Sequence, residues 1–445
     1  MSKLGTIVLR LVSIPIAIRL LGIEQFGVYT AITMAVGLID MMQIGIGPAL
    51  TRELSRAVAK GDREREKTIF ATSILLSSGL TLLLSFVAAF LLYKIPIPSL
   101  FGAEFSSLSD VMYRAAWLGL AIILIEMLCV TFEMARDGYL ETRYSNAWGA
   151  AGNIFGAATL LIGIWFFPTI EFLIIAVNGS IALAKLGNTI HLLIQRPYLF
   201  PKFSLFRFSL VPPLAKDSIR FSVTYILAAA VEYNVLAFLI GRHSGPEAVG
   251  VFNVMITIHF SLAGIVGMIT RPYWPALMDA VEREDTPWVI RSSRKLLKAG
   301  LGFGLLSGIG LIALGPYVLP LWVGEKFTEV TEVTEGFQVD RMILAAFSAY
   351  FLLHLWRHMN QVLVLGMGQI NQVVAVVVAE ALVLVSFATL ALNRTGDLSM
   401  VYIVMSGCIL LFTGWMLPML FLSGIRGTEP GEKNRKLNPA SEAVT

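Results

Sequence analysis

Apolar stretches of roughly twenty residues recur along the whole chain, and the polar breaks between them are too short to fold alone. They fall near 4–21, 27–48, 68–93, 111–131, 146–167, 170–194, 219–240, 248–270, 296–322, 341–365, 370–392 and 400–423. A helix rising about 1.5 Å per residue needs ~20 mostly apolar residues to cross a bilayer. The pattern therefore predicts an all-α polytopic membrane protein of about 12 transmembrane helices. Composition agrees, with 56% hydrophobic and 14% charged residues, against about 25% charged in a soluble domain. What remains suffices for loops and a tail, not for a large soluble domain. The two cysteines, Cys129 and Cys408, lie inside apolar stretches and outside any metal-ligand pattern. The first stretch begins near Met1 without a small-residue cleavage site, so it is expected to be a retained span.

Lys and Arg set the expected orientation. With the N-terminus in the cytoplasm, 24 of the 34 basic residues fall on the cytoplasmic side and seven on the other. The 323–338 loop, with Glu325, Glu329, Glu332 and Glu335, then lies outside. Both termini are expected in the cytoplasm, with the chain crossing the membrane many times.

The chain also repeats itself. Leu21-Gly22-Ile23-Glu24-Gln25-Phe26-Gly27-Val28-Tyr29 is echoed by Ile240-Gly241 through Gly250-Val251-Phe252, and Pro98-Ser99-Leu100-Phe101-Gly102 by Pro320-Leu321-Trp322-Val323-Gly324. Each echo follows at nearly the same offset, and a charged loop follows the second span of each half. Two parallel six-helix repeats around a central cavity are the expected result. The predicted divisions are an N-terminal lobe at 1–195, a cytoplasmic linker at 196–218, a C-terminal lobe at 219–424 and a disordered cytoplasmic tail at 425–445.

Residues 19–56 carry a denser pattern: Arg19-Leu20-Leu21-Gly22, Phe26-Gly27-Val28-Tyr29, and Gln43-Ile44-Gly45-Ile46-Gly47-Pro48-Ala49-Leu50-Thr51-Arg52-Glu53-Leu54. This resembles the polysaccharide-biosynthesis branch of the multidrug/oligosaccharidyl-lipid/polysaccharide (MOP) exporter superfamily, which includes O-antigen flippases. The family often has Asp where Gln43 stands, and here Asp40 lies one turn earlier. The resemblance implies a flippase that moves an undecaprenyl-diphosphate-linked oligosaccharide to the outer leaflet by alternating access. Its expected partners are that lipid-linked oligosaccharide, the surrounding membrane lipids and other polysaccharide assembly proteins, with no nucleic acid, cofactor or metal.

Charges in mid-membrane cost at least about 2.5–3.5 kcal/mol on insertion scales, so those that persist tend to face protein or water. The tenth stretch carries the densest group. Tyr350, His354, Arg357, His358 and Gln361 follow helical spacing along one face. Arg357 offers a fork to phosphate and the imidazoles add hydrogen bonds; the alternative is a wet seam between packed helices. Thr6, Arg10, Ser13 and Ala17 share a face of the first span, where Arg10 lines a cavity or snorkels to the headgroups. Pro15 on that span is a kink or a tolerated membrane proline. Asp40 shares a face with Thr30, Thr33 and Gly37, as a coupling group or a structural hydrogen-bonding partner. Arg52 and Arg271 greet a diphosphate or anchor the inner face. Glu126, Lys185, Glu232 and Glu380 are candidates for coupling or charge pairing, Glu126 and Glu232 with Arg. His191 and His259 read as satisfied interior groups.

Two other functions fit parts of the pattern. A cation-coupled multidrug exporter of the same superfamily would keep acids in its first span, where this chain has Arg10. A membrane glycan polymerase or transferase would use an external carboxylate such as Asp110, for which no catalytic partner stands out. The chain has no phosphate-cradling Gly-Lys-Ser/Thr loop, so it is not expected to hydrolyse ATP or to be an enzyme.

Overall fold

A computed structural model describes residues 2–41, 46–96, 101, 103–212, 214, 230–324 and 339–427. The regular structure described is helical: α1 (Ser2–Leu21), α2 (Ile23–Met41), α3 (Ile46–Ala59), α4 (Arg63–Lys94), α5 (Ser109–Gly138), α6 (Thr142–Gly163), α7 (Ile170–Gln195), α8 (Leu236–Glu282), α9 (Thr286–Val323), α10 (Arg341–Gly366), α11 (Ile370–Thr395), α12 (Leu398–Leu411) and α13 (Thr413–Gly427). Side chains close the helix starts. Asp62 accepts from the Arg65 amide, Thr169 from Phe172, Asp340 from Ile343 and Asp397 from Ser399, filling donors that have no partner inside the helix. Short π turns interrupt at Ile175–Gly179 and Ala230–Val235, and Gly245 kinks α8 at φ 79°.

Seven of the described helical segments are long and apolar enough to cross a membrane, against the twelve expected. The reasons are local. Arg341, Arg357 and the two histidines lower the hydropathy of α10, and Asn146 and Asn153 that of α6. The 219–240 stretch is described only from Ala230, which continues into the 248–270 stretch, and residues 42–45 lie outside the described residues. In the first stretch, the side chains of residues 1–8 and 10 lie outside the described residues.

The chain divides into two compact units, Met1–Thr257 with Pro320–Gln338, and Ile258–Leu319 with Val339–Thr445. The boundary falls within α8, and contacts inside the first unit explain why. Asn253 Nδ2 donates to Thr30 Oγ1 at 2.8 Å, across a sequence separation of 223 residues. A Cβ on Gly27 would lie 1.7 Å from the Pro246 carbonyl oxygen, and one on Gly250 would lie 3.0 Å from that of Ile23. Gly250 stands to Gly27, and Pro246 to Ile23, as Asn253 stands to Thr30. Positions 223 residues apart in the two similar segments thus meet reciprocally, as self-complementary surfaces do. The end of α9 returns to the same unit: Trp322 Nε1 donates to the Leu11 carbonyl at 2.8 Å, and Arg19 Nη2 to that of Leu321, also at 2.8 Å. Arg19 of the 19–56 pattern therefore satisfies a carbonyl that the helix end leaves open.

Elsewhere in the first unit, α6 and α7 pack through small residues. A Cβ on Gly152 would meet Ala184, one on Gly156 the Ala176 carbonyl, and one on Gly187 the Trp148 ring. Without water to drive association, such seams gain from close backbone approach. Leu50, Leu54, Ile69, Phe70, Ala135, Leu192 and Leu199 form an apolar core among α3, α4, α5, α7 and the 197–199 turn.

Candidate functional site

Helical spacing brings the predicted α10 stripe together in the second unit. Arg357 is 9% exposed and Glu380 of α11 3%. Arg357 Nη1 donates to Glu380 Oε1 at 2.7 Å. Glu380 Oε2 accepts from the Thr413 amide at 3.2 Å and from the Thr413 hydroxyl. The chain breaks between α12 and α13 at Phe412, which sits at φ −120°, ψ −86°, so one carboxylate serves both a guanidinium and an opened helix. Arg357 Nη2 also meets His354 Nδ1 at 2.9 Å. A guanidinium has no lone pair to offer, so His354 Nδ1 is the acceptor in this bond.

The rest of the stripe is packed against side chains. The His259 and His354 rings lie 4.3 Å apart edge to face, and His259 stacks on Tyr350 at 5.5 Å. Tyr350 is fully buried, near Phe347 and Tyr402. His358 Nε2 shares a hydrogen bond with Thr270 Oγ1 at 3.1 Å, and Gln361 is half-buried one turn on. In this conformation the stripe is a polar seam, and two nitrogens of the Arg357 fork are in use.

The other predicted residues are dispersed. Glu126 pairs with Lys185 at 2.6 Å, a lysine where an arginine was expected. Glu232 is buried in the Ala230–Val235 turn. Arg52 is exposed, with its Nε 3.5 Å from Glu53. His191 takes a hydrogen bond from Trp148 Nε1 at 3.2 Å. The side chains of Arg10, Asp40 and Arg271, residues 325–338 and the tail beyond 427 lie outside the described residues.

Sequence reading missed a second polar centre, where α5 ends and α7 leads into the 197–210 segment. Arg136 is 0% exposed. Its Nε donates to Asn188 Oδ1 at 2.7 Å, and its Nη1 to Gln195 Oε1 at 3.0 Å and Glu141 Oε2 at 3.2 Å. Arg196 forks onto the same carboxylate at 2.7 and 3.0 Å and lies 4.0 Å over the Tyr139 ring. Tyr139 and Tyr198 both donate to Glu66, the second at 2.8 Å. Burial and those bonds to Glu66 push both phenols up, so they keep their protons. Burial alone would raise the Glu141 carboxyl, but the bonds and charges of Arg196 and Arg136 outweigh it and hold it below the ordinary value. The usable sequence signal was Tyr139, Tyr144 and Tyr198 interleaved with Arg136, Arg143 and Arg196.

Glu141→Gln is expected to cost about 2 kcal/mol, because two guanidiniums lose their counter-charge while part of the site stays wet. A carboxyl depressed on folding contributes stability above its unfolded value, about 4.3, and loses it as the pH falls through the lower folded value. The gap in thermal unfolding midpoint between wild type and variant should therefore hold from pH 7 to 5 and close below about 4. A constant gap down to pH 3 would show that the charge is not what Glu141 supplies.

Buried polar pairs in long apolar helices, with glycine seams between them, are the packing of a helical membrane protein. Solved structures agree over nearly the whole chain. An inward-facing multidrug resistance MATE family transporter of the MOP superfamily matches with a TM-score of 0.73 and 15% identity, over 98% of this chain and 96% of that one. A Vibrio cholerae MATE transporter, VcmN in mutant form, gives 0.64 and 17% over 96% and 94%. A MOP superfamily transporter from Pyrococcus furiosus, whose binding pocket has reversed polarity, gives 0.62 and 17% over 95% and 96%. Residues 1–280 match the model of the polysaccharide biosynthesis protein family, and the chain belongs to that family within the MOP superfamily. The inner membrane protein YghQ of Escherichia coli K12 is 25% identical over 95 residues, 21% of this chain; the match spans about a quarter (26%) of that relative's length.

Proposed function

We propose that this protein flips a polyprenyl-diphosphate-linked oligosaccharide across the bacterial cytoplasmic membrane during surface polysaccharide assembly, without itself being an enzyme. The observation that carries the reading is membership of the polysaccharide biosynthesis family over residues 1–280. The charge bias puts both termini inside, so the contact between Ile23–Thr30 and Pro246–Asn253 lies toward the outer face. Alternating access then requires the two six-helix halves to part there after loading from the cytoplasmic leaflet. The diphosphate is assigned to Arg357, with Arg10, Arg52 and Arg271 as contacts along the way. The hydrophilic glycan crosses inside the protein while the polyprenyl tail stays in lipid. A cation-coupled multidrug exporter is the second reading, favoured by the MATE transporters among the structural neighbours.

Deleting the gene should leave the lipid-linked glycan on the cytoplasmic leaflet, closed to an added periplasmic glycosidase, and the restored gene should expose it. Equal exposure in both strains, with drug efflux gained on expression, would replace this reading with the second.

A further inference from the structure

Beside the Arg136 centre, α5, α6 and α7 of the first unit enclose a polar cavity of about 190 Å³. We infer that it is a saccharide subsite, holding one sugar ring of the translocated glycan between Glu133, Ser145, Trp148 and Asn188. The inference rests on the lipid-linked oligosaccharide reading and adds where a sugar is read.

Size is the first argument. A water occupies about 30 Å³ of liquid, so the cavity has room for about six, the scale of a single pyranose. Drug-sized ligands fill pockets of about 300 Å³ or more. Polar groups left open are the second. Among the described residues the Ser145 hydroxyl has no hydrogen-bond partner, and the residue is 8% exposed. An unmet buried hydroxyl costs about 1–3 kcal/mol, which a ligand bearing its own hydroxyls would return. Glu133, on an apolar helix, has no hydrogen bond or close ion pair among the described residues, and feels the charge of Lys185 across the cavity. Asn188 spends its carbonyl oxygen on Arg136, leaving its amide hydrogens for the cavity.

Chemistry is the third. A carboxylate accepts from two neighbouring hydroxyls and an amide NH₂ donates to another, a set that suits a polyol. Trp148 supplies an aromatic wall, pinned by its bond to His191 and its packing on Gly187, against which the C–H face of a ring can lie. Lys185, also in the lining and paired with Glu126, disfavours a bare cation there. With the N-terminus inside, Glu133 and Ser145 lie within about two turns of the cytoplasmic helix ends, on the side where the glycan is loaded.

The test uses the full chain in lipid nanodiscs. Binding is measured for undecaprenyl diphosphate, bare or carrying one glucose, galactose, N-acetylglucosamine or N-acetylgalactosamine. At least one sugar-bearing lipid should bind about tenfold tighter than the bare one. Glu133→Ala should erase that gain and leave bare-lipid affinity unchanged. Glu133→Gln, which keeps the shape, should lose most of it. Alkylation of Asn146→Cys, at an exposed lining position, should be slowed by the sugar-bearing lipid and not by the bare one. Bare lipid that binds with no sugar preference, or a preference that survives Glu133→Ala, overturns the subsite alone. A wild-type protein that binds none of these lipids overturns the lipid-linked reading and the subsite with it.

Discussion

Cysteines placed at Thr30 and Asn253 should bring export to the level of cells lacking the protein once they are joined, and reduction should restore it. Their side chains already share a 2.8 Å hydrogen bond, and Gly27 and Gly250 each lie against a backbone carbonyl of the opposite repeat. A transporter alternates because its states differ by only a few kcal/mol, and a covalent bond across a contact that must open removes one of them. Cys129 and Cys408 are buried, so the background of unwanted cross-links is low. Each single-cysteine variant should export normally under oxidant, which separates the bond from the loss of the Thr30–Asn253 hydrogen bond. Undiminished export by a fully cross-linked protein would mean that these segments stay together through the cycle, and that the opening lies elsewhere.

That contact was half legible in the sequence. The shared Gly-Val-Tyr and Gly-Val-Phe punctuation at a constant offset marked the two segments as related. Only coordinates show that the equivalent glycines approach each other's carbonyls, because sequence similarity carries no information about which copies touch. The α10 stripe was legible for the same reason a helix is: Tyr350 through Gln361 obey a period that folding leaves intact. Its chemistry was less so. Arg357 and Glu380 belong to different helices, and so do Glu126 and Lys185, and no local rule selects such partners. Arg136 shows the limit most sharply. Counted along the chain it is one of the cations that orient a membrane protein. In the structure it is wholly buried, bonded to Glu141, Asn188 and Gln195 and lying 4.8 Å over the Tyr144 ring. Charge totals report topology and are blind to a cation that the fold encloses.

The largest single loss is expected at Arg357, and the pair with Glu380 allows its two roles to be separated. Arg357→Ala leaves a carboxylate 3% exposed without its cation, a change worth about 3–5 kcal/mol of stability. Export should fall to background, but a protein weakened that far would lose export for either reason. The double variant Arg357→Met, Glu380→Gln removes both charges and keeps the bulk of each side chain. Its glutamine carbonyl can still accept from the Thr413 amide and hydroxyl, as Glu380 Oε2 does now. Replacing a buried ion pair with uncharged groups of similar volume is often close to neutral, so the thermal unfolding midpoint should return to near the wild-type value. Export should not return if Arg357 holds the diphosphate. The coupling energy from the two single variants and the double measures how much of the stability loss belongs to the pair, and the export assay reads what is left. A double variant that is stable and exports like wild type would assign Arg357 to holding α10 and α11 together, and the anion would have to be met by other cations.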